Sequence, residues 1–373
     1  MSEFTPNTRM LVSFQPIVVP LEDTSSPRQS GRVQRGQRQT ARRPAPALGP
    51  GRGGSGPLGG GSWPLGLRKT VALGYHPDLP DCRDHSVFSP EFKNTSAGKV
   101  LTAMANKDKS SRYLLSTKKE ALPERLHLGD TGLMPPIEDQ RQIGSCTANA
   151  MIGLMEYLIR AAGGRPLDLS RLFLYKMTRR LLGWTGDTGA YIRTTIKAMR
   201  LFGVPPESDW PYELERLDRE PDSYHYAYAQ NFRALTYARL DGYGDIPAGF
   251  TSRGEATLDA LKRTLADGHP VAFGFPVYSS ISDMGADFVI PLPKSKQSDT
   301  VIGGHAVLAV GYDDAVKVVG QNDPGAVIVR NSWGIEWGDQ GYGYLPYWYV
   351  TQELAVDWWT IFHADFVEVS EFY

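Results

Sequence analysis

Two residues far apart in the chain have the chemistry of a nucleophile and a base. Cys146 lies in the segment GSCTANA, where an apolar helix is predicted to begin. A thiol there faces the unpaired N–H groups and the positive end of the helix dipole, which favour the thiolate. His305 lies in GGHAV, at the head of an apolar strand. Each residue alone also fits a structural role in a core.

Asn331 adds the third group that acyl transfer requires. It opens the segment NSWGIEWGDQGYGYL, which is rich in Gly and Trp. A thiolate attacks a carbonyl carbon, an imidazole takes and returns the proton, and an amide holds the imidazole in one tautomer. The order Cys146, His305, Asn331 therefore predicts nucleophilic acyl transfer.

Four segments in this order resemble the papain family of cysteine peptidases, over residues 123–373. They are Gln140 six residues before the cysteine, GSC followed by Ala148, GGHAV, and NSWG-x-x-WG-x-x-GYG. The resemblance implies that Cys146 is the nucleophile, His305 the general acid and base, and Asn331 the residue that orients the imidazole. It also implies an oxyanion hole made by the Gln140 side chain and the Cys146 backbone N–H.

The resemblance further implies a cleft for extended peptide. The backbone of Gly189 and Ala190 is expected to pair with substrate, and Trp333 to shield the His305–Asn331 hydrogen bond from water. The candidate substrate-contacting residues are Gly189, Ala190, Tyr191, Ile192, Gly304, Ala306 and Trp333. Because none of them is charged, we expect Leu, Val, Phe or Tyr to be preferred two residues before the cut. Lys, Asp and Glu should be disfavoured there.

Several positions depart from the family pattern. The usual extra cysteine three residues before the nucleophile is Ile143, and the usual aromatic residue after the nucleophile is Thr147. GSCTANA, together with GYHPDLPDCRD near residue 80, is similar to the bacterial and archaeal branch of the family. Cys82, in the second of these segments, is expected to be an incidental free thiol.

Hydrophobic periodicity predicts the elements that position these residues. Helices are expected at Cys146–Arg160, Ser170–Leu182 and Ala190–Phe202, and strands at Val271–Val277, His305–Val310, Ala326–Arg330 and Gly341–Pro346. A helical half followed by a strand half predicts an α+β fold with two lobes. The resemblance specifies it as papain-like, with a helical N-terminal lobe, an antiparallel β-barrel-like C-terminal lobe and the active-site cleft between them.

The region before the peptidase domain divides into two parts. Residues 1–70 are rich in Arg, Gly and Pro and are predicted to be disordered; no Asp or Glu occurs from Thr24 to Pro77. This region is either a solvated tail or a segment that binds an acidic surface, nucleic acid or the acidic remainder of the protein. Residues 71–122, here called the leader, are expected to restrain the enzyme as a zymogen, with the Pro-rich part along the cleft. We expect the peptidase domain at residues 123–373.

Composition narrows the function further. The 373 residues carry a formal charge of −1, which argues against a nucleic-acid-binding protein, and no apolar run is long enough to span a membrane. Without a standard signal peptide, the compartment stays open between the cytoplasm and a non-classical export route. We expect no cofactor and no metal, and the partner to be a peptide or protein substrate. The alternatives to hydrolysis are a catalytically silent peptide-binding protein and a thiol acyltransferase.

Overall fold

The computed structural model describes most of the chain from residue 72 onward. The described residues are 72–81, 84, 86–87, 89, 91–108, 121–242, 245–294 and 298–366. The region predicted to be disordered, residues 1–70, and the cysteine at position 82 lie outside them.

Seven helices and seven strands have assigned bounds in the described part. The helices are α1 Ser96–Asp108, α2 Cys146–Ala161, α3 Arg171–Leu182, α4 Ile192–Leu201, α5 Ser223–Ala229, α6 Arg253–Ala266 and α7 Tyr347–Thr351. The strands are β1 Arg125–His127, β2 Phe232–Arg239, β3 Val271–Tyr278, β4 Val301–Asp313, β5 Ala326–Arg330, β6 Tyr342–Pro346 and β7 Val356–Phe366. In this part of the chain, no helix combines the length and apolar character needed to cross a membrane.

Helix α2 is the centre of the helical lobe. Every residue from Cys146 to Ile159 is buried, because α3 and α4 pack on one side of the helix and β4 on another. A helix enclosed in this way is apolar on most of its circumference. Gly163, at φ 81°, follows its end. The burial fixes the first residue of the helix, Cys146, against the strand lobe.

The strand lobe is an antiparallel sheet in the order β2-β7-β3-β4-β5-β6, and β1 pairs with β4 outside this path. The long strand β4 pairs with β1, β3 and β5. Its register puts His305 opposite Phe275 and Leu308 opposite Arg330. The chain that leaves β5 at Asn331 therefore runs back beside His305.

The predicted α+β fold is confirmed, and most helix and strand bounds are close to those expected. Strand β4 begins four residues earlier than predicted, at Val301, so His305 lies within the strand and not at its head. Helices and strands also alternate more than expected: β1 precedes α2, β2 lies between α5 and α6, and α7 lies between β6 and β7. Tertiary pairing explains the difference, because β2 joins the sheet through the C-terminal strand β7.

Helix α1 was not predicted, since its sequence is polar and weakly patterned. Its apolar residues Ala97 and Leu101 pack with Phe92 from the preceding turn. Together they form a small second core against Ala238 of β2 and Phe362 of β7. Tertiary contacts, rather than amphipathic periodicity, stabilise this part of the leader on the sheet.

Candidate active site

A carboxylate fixes the loop that presents Cys146. The Gly144 N–H donates to both oxygens of Asp187, at 2.8 and 3.1 Å. The Tyr175 hydroxyl donates to the same carboxylate at 2.7 Å and accepts the Gly189 N–H at 2.8 Å. Asp187 and Tyr175 therefore hold the turn before Cys146 against the segment that begins at Gly189.

The imidazole of His305 is held in one orientation. Its Nε2–H donates to the Oδ1 atom of Asn331 at 2.7 Å, which leaves Nδ1 as the acceptor nitrogen. Nδ1 is buried and has no hydrogen-bond partner among the described residues. Trp333 stacks on the imidazole at 4.4 Å between ring centroids, and Trp337 contacts Trp333 edge-on. Trp333 thus covers one face of the His305 ring.

The thiol of Cys146 lies against the strand that carries this imidazole. Its sulfur interacts with the backbone N–H of Ala306, the residue that follows His305, and with the N–H of Gly74. Both side chains are fully buried. Burial raises the pKa of Cys146 to about 11, although these N–H groups favour the thiolate. Burial also lowers the pKa of His305 to about 4, against the opposing effect of the Asn331 hydrogen bond. The buried Cys146 thiol and His305 imidazole are therefore both uncharged at neutral pH.

Gln140 connects the cysteine loop with the asparagine loop. Its Oε1 accepts the Ser332 hydroxyl at 2.7 Å, and its backbone N–H donates to the Ser332 carbonyl at 2.8 Å. The Nε2 amide donates to the carbonyls of Ile143, at 3.0 Å, and Ala72, at 2.9 Å. The Tyr212 hydroxyl bonds both the Gln140 carbonyl and Ser145. The side-chain amide is thereby aimed at a carbonyl oxygen of another segment.

That segment is the start of the leader, which lies in the cleft. The Ala190 N–H donates to the Gly74 carbonyl at 2.7 Å, and the His76 N–H to the Ala190 carbonyl at 3.0 Å. The Tyr75 N–H donates to the Gly304 carbonyl at 3.0 Å. Tyr75 pairs in parallel with Ala190. The leader thus forms the backbone hydrogen bonds of an added strand.

Three glycines meet where the leader passes the thiol. A Cβ atom on Gly74 would lie 2.0 Å from the Gly144 carbonyl oxygen, and one on Gly189 would lie 2.2 Å from the Gly74 oxygen. Both distances are far below van der Waals contact with backbone atoms. Only glycine fits at these positions while the leader is in place.

The residues predicted to contact substrate have different surroundings. The Tyr75 ring packs against Gly274, where an added Cβ would lie 2.0 Å from a ring carbon. The Tyr75 backbone passes Gly304, where an added Cβ would lie 2.3 Å from the Tyr75 carbonyl oxygen. Ala306 is paired with Gly274 across the sheet, whereas Ile192 is completely buried at the start of α4. Tyr191 contacts the rings of His76 and Trp184. Gly274 is a pocket residue that the sequence analysis missed.

Other missed residues support the site from a distance in sequence. These are Tyr175, Asp187, Tyr212, Ser332 and the leader residues Ala72–His76. Ser332 lies in the NSWG motif, Gly74–His76 in the GYHPDLPDCRD segment and Asp187 two residues before Gly189, but the sequence analysis gave none of them a supporting role in the site. Within the described ranges, His, Cys, Asp and Glu side chains form no group of three that could hold a metal ion.

Comparison with known proteins agrees with this geometry. Residues 122–349 match the family model described as papain family cysteine protease. The chain is 36% identical over 228 residues to an uncharacterized peptidase C1-like protein of Acanthamoeba polyphaga mimivirus, covering 60% of this chain and 68% of that protein. It is 30% identical over 222 residues to cathepsin K of Gallus gallus, covering 57% of this chain and 55% of that protein.

Among solved structures, the fold is similar to that of xylellain, a cysteine protease from Xylella fastidiosa. The TM-score is 0.57 at 32% identity, and the match covers 79% of this chain and 96% of that one. The family match spans more than half of the chain and includes both the cysteine loop and the His–Asn pair. The chain therefore belongs to the papain family, and the protein is a cysteine peptidase.

Proposed function

We propose that Cys146, His305 and Asn331 are the catalytic residues of this peptidase. The observation that carries the proposal is the 2.7 Å bond from His305 Nε2 to Asn331, which leaves Nδ1 as a proton acceptor. The Cys146 sulfur interacts with the backbone N–H of Ala306, the next residue along the strand. Nδ1 takes the thiol proton, and the thiolate attacks the substrate carbonyl carbon. His305 then donates that proton to the leaving amine, and water hydrolyses the thioester.

Gln140 is proposed to stabilise the oxyanion together with the Cys146 backbone N–H. The bond from Gln140 Nε2 to the Ala72 carbonyl supports this role, because a carbonyl oxygen already occupies the position in front of the amide. The Ser332 hydroxyl fixes the Gln140 side chain by donating a hydrogen bond to its Oε1 atom. A donor held this way needs no reorganisation when negative charge develops on the substrate oxygen.

The substrate is proposed to be extended peptide bound along the same backbone groups as the leader. Ala190 and Gly304 would supply the main-chain hydrogen bonds, with Gly189 allowing close approach. The pocket that holds Tyr75 would take the side chain two residues before the cut, bordered by Tyr191, Ile192 and Ala306. Its walls are apolar, so Leu, Val, Phe or Tyr should be preferred. A peptide-library profile with a charged residue preferred at that position would refute the pocket assignment.

The leader is proposed to be autoinhibitory, so that the protein is made as a zymogen. Three kinds of contact support this: backbone pairing with Ala190, the Ala72 carbonyl at Gln140, and Gly74 above the thiol. Substrate cannot bind at these groups while the leader occupies them. Removal or displacement of residues 71–122 would then activate the enzyme.

The bacterial and archaeal branch remains our proposal for the origin of this sequence type. GSCTANA and the GYHPDLPDCRD segment motivated it. The 32% identity to xylellain over 96% of that chain is consistent with it.

The mechanism is tested with the Cys146→Ala variant of the full chain. We expect complete loss of peptide hydrolysis with an unchanged fold, since Ala fills most of the thiol's buried site. Cys82→Ala is the matched control, and it should keep wild-type hydrolysis. Hydrolysis retained by purified Cys146→Ala would exclude Cys146 as the nucleophile.

A further inference from the structure

Arg193, in the first turn of α4, is a mostly buried cation held by the leader. Its guanidinium forms ion pairs with Asp78 at 2.8 Å and Asp84 at 2.7 Å, and it donates to the Leu79 carbonyl at 2.7 Å. The side chain is only 12% exposed. Among the residues that the structure describes, all of its hydrogen bonds and ion pairs go to the leader.

The neighbouring Arg239 differs in this respect. It is fully buried on β2. It donates two hydrogen bonds to Asp241, at 2.9 and 3.1 Å, and forms an ion pair with Asp357 at 3.2 Å. It also donates to the Asp78 carbonyl at 3.0 Å. Since Asp241 and Asp357 belong to the peptidase domain, Arg239 keeps both of these charge partners when the leader leaves and loses only the longer ion pair with Asp84, at 3.6 Å. Arg193 loses both of its own.

Trp359 of the peptidase domain contacts the Arg193 side chain independently of the leader. The guanidinium groups of Arg193 and Arg239 both lie over the Trp359 ring, at 5.9 and 5.5 Å from its centre. A cavity of about 670 Å³ adjoins residues 77–80 of the leader nearby; Arg239, Asp241, Asp245 and Glu353 line it, and Arg193 lies outside its lining.

Resting on the proposed function, we propose that Arg193 forms a subsite for an acidic side chain of the substrate. The leader itself combines an apolar and an acidic contact of this kind. Tyr75 fills the pocket beside Gly274, and Asp78, three residues later in the chain and further from Gln140, pairs with Arg193. A peptide that combines a large apolar residue in the pocket with a carboxylate beyond it would satisfy both groups. A guanidinium left without its partners binds a carboxylate through charge-assisted, bidentate hydrogen bonds.

The test compares matched peptides that differ only in charge. Asp is replaced by Asn, and Glu by Gln, at each position from three to six residues before the cut. The kcat/KM is measured with the full-length Gly74→Ala protein, in which the clash of the new Cβ with Gly144 is expected to displace the leader. We expect at least one acidic position to be favoured about tenfold or more. The ratio should fall close to one in Arg193→Gln and stay partly raised in Arg193→Lys. Arg200→Gln, an exposed arginine of the same helix, should keep the ratio of Gly74→Ala alone.

Equal rates for acidic and amide peptides with Gly74→Ala alone, or an unchanged ratio in Arg193→Gln, would overturn the proposal. A binding measurement separates this result from failure of the peptidase function. A fluorescent peptide of residues 72–87 is titrated into the full-length Gly74→Ala protein with and without Arg193→Gln. Weaker binding after loss of Arg193, together with a smaller effect of salt on that binding, supports the subsite; equal binding refutes it even if no peptide is cleaved.

Discussion

Replacing Gly74 by alanine should displace the leader and activate the full-length enzyme. The added Cβ would lie 2.0 Å from the Gly144 oxygen and 2.4 Å from the Gly144 carbon atoms. These are backbone atoms of the loop that Asp187 anchors, so they cannot move aside cheaply. Overpacking of this kind costs about 1–3 kcal/mol. Since 1.4 kcal/mol is a factor of ten, the open form should gain about 5- to 150-fold in population.

Alkylation of the thiol gives the most direct assay. With the leader closed, burial raises the pKa of Cys146 to about 11, so the reactive thiolate is scarce at neutral pH and increases up to that pKa. Gly74→Ala should react faster with iodoacetamide at pH 7 by the same factor as its gain in peptide hydrolysis. Cys82 is replaced by Ala in all proteins so that one thiol is measured.

Leu79→Ala is the control within the leader. The Leu79 side chain is 84% exposed, and only its carbonyl contacts Arg193. It should alkylate and hydrolyse at wild-type rates. If Gly74→Ala also shows wild-type rates while keeping its fold, the close packing of the leader over the thiol does not limit activity, and the zymogen proposal loses its main support.

Two further predictions follow from buried groups. Gln140→Ala should lower kcat by about 10²- to 10³-fold in the leader-free enzyme, because one oxyanion donor is lost; an unchanged kcat would remove Gln140 from the site. His269, buried against Phe362, has its pKa lowered to about 4 by burial, so its protonation opposes folding. Stability should therefore be complete above about pH 6.5 and fall by about 3 kcal/mol as the pH drops to 4. Urea unfolding of His269→Phe should lose that much less between pH 7.5 and pH 4, and identical pH profiles would contradict the assignment.

The catalytic candidates could be predicted because each lies in a short motif next to a helix or strand that the sequence also predicts. Cys146 needs a helix N-terminus, and an apolar run of helical period begins there. His305 and Asn331 need adjacent strands, and β-branched runs mark both β4 and β5. The supporting residues have no such signal. Asp187 and Tyr212 are 41 and 66 residues from Cys146, and nothing in a single sequence links a carboxylate or a phenol to a loop that far away.

The Pro-rich part of the leader was predicted to lie along the cleft, but the sequence could not predict how closely it fits there. Gly74, Gly144 and Gly189 each resemble an ordinary loop glycine, and only their meeting over the thiol reveals why a side chain is excluded. Likewise, Asp78 and Arg193 are 115 residues apart, and either would be read alone as a solvated surface charge.

Inhibition and substrate recognition are coupled in this arrangement. The leader uses the Ala190 backbone, the Gly304 carbonyl and the Gly274 pocket, which are the groups proposed to hold a peptide. A substitution that improves binding at these groups would therefore strengthen the leader as well as the substrate, and the full-length enzyme would gain little. A substitution at Gly74 differs, because it weakens binding of the leader to the cleft and leaves binding of the substrate unchanged. Changes in the leader, rather than in the cleft, are thus the ones that separate activation from specificity.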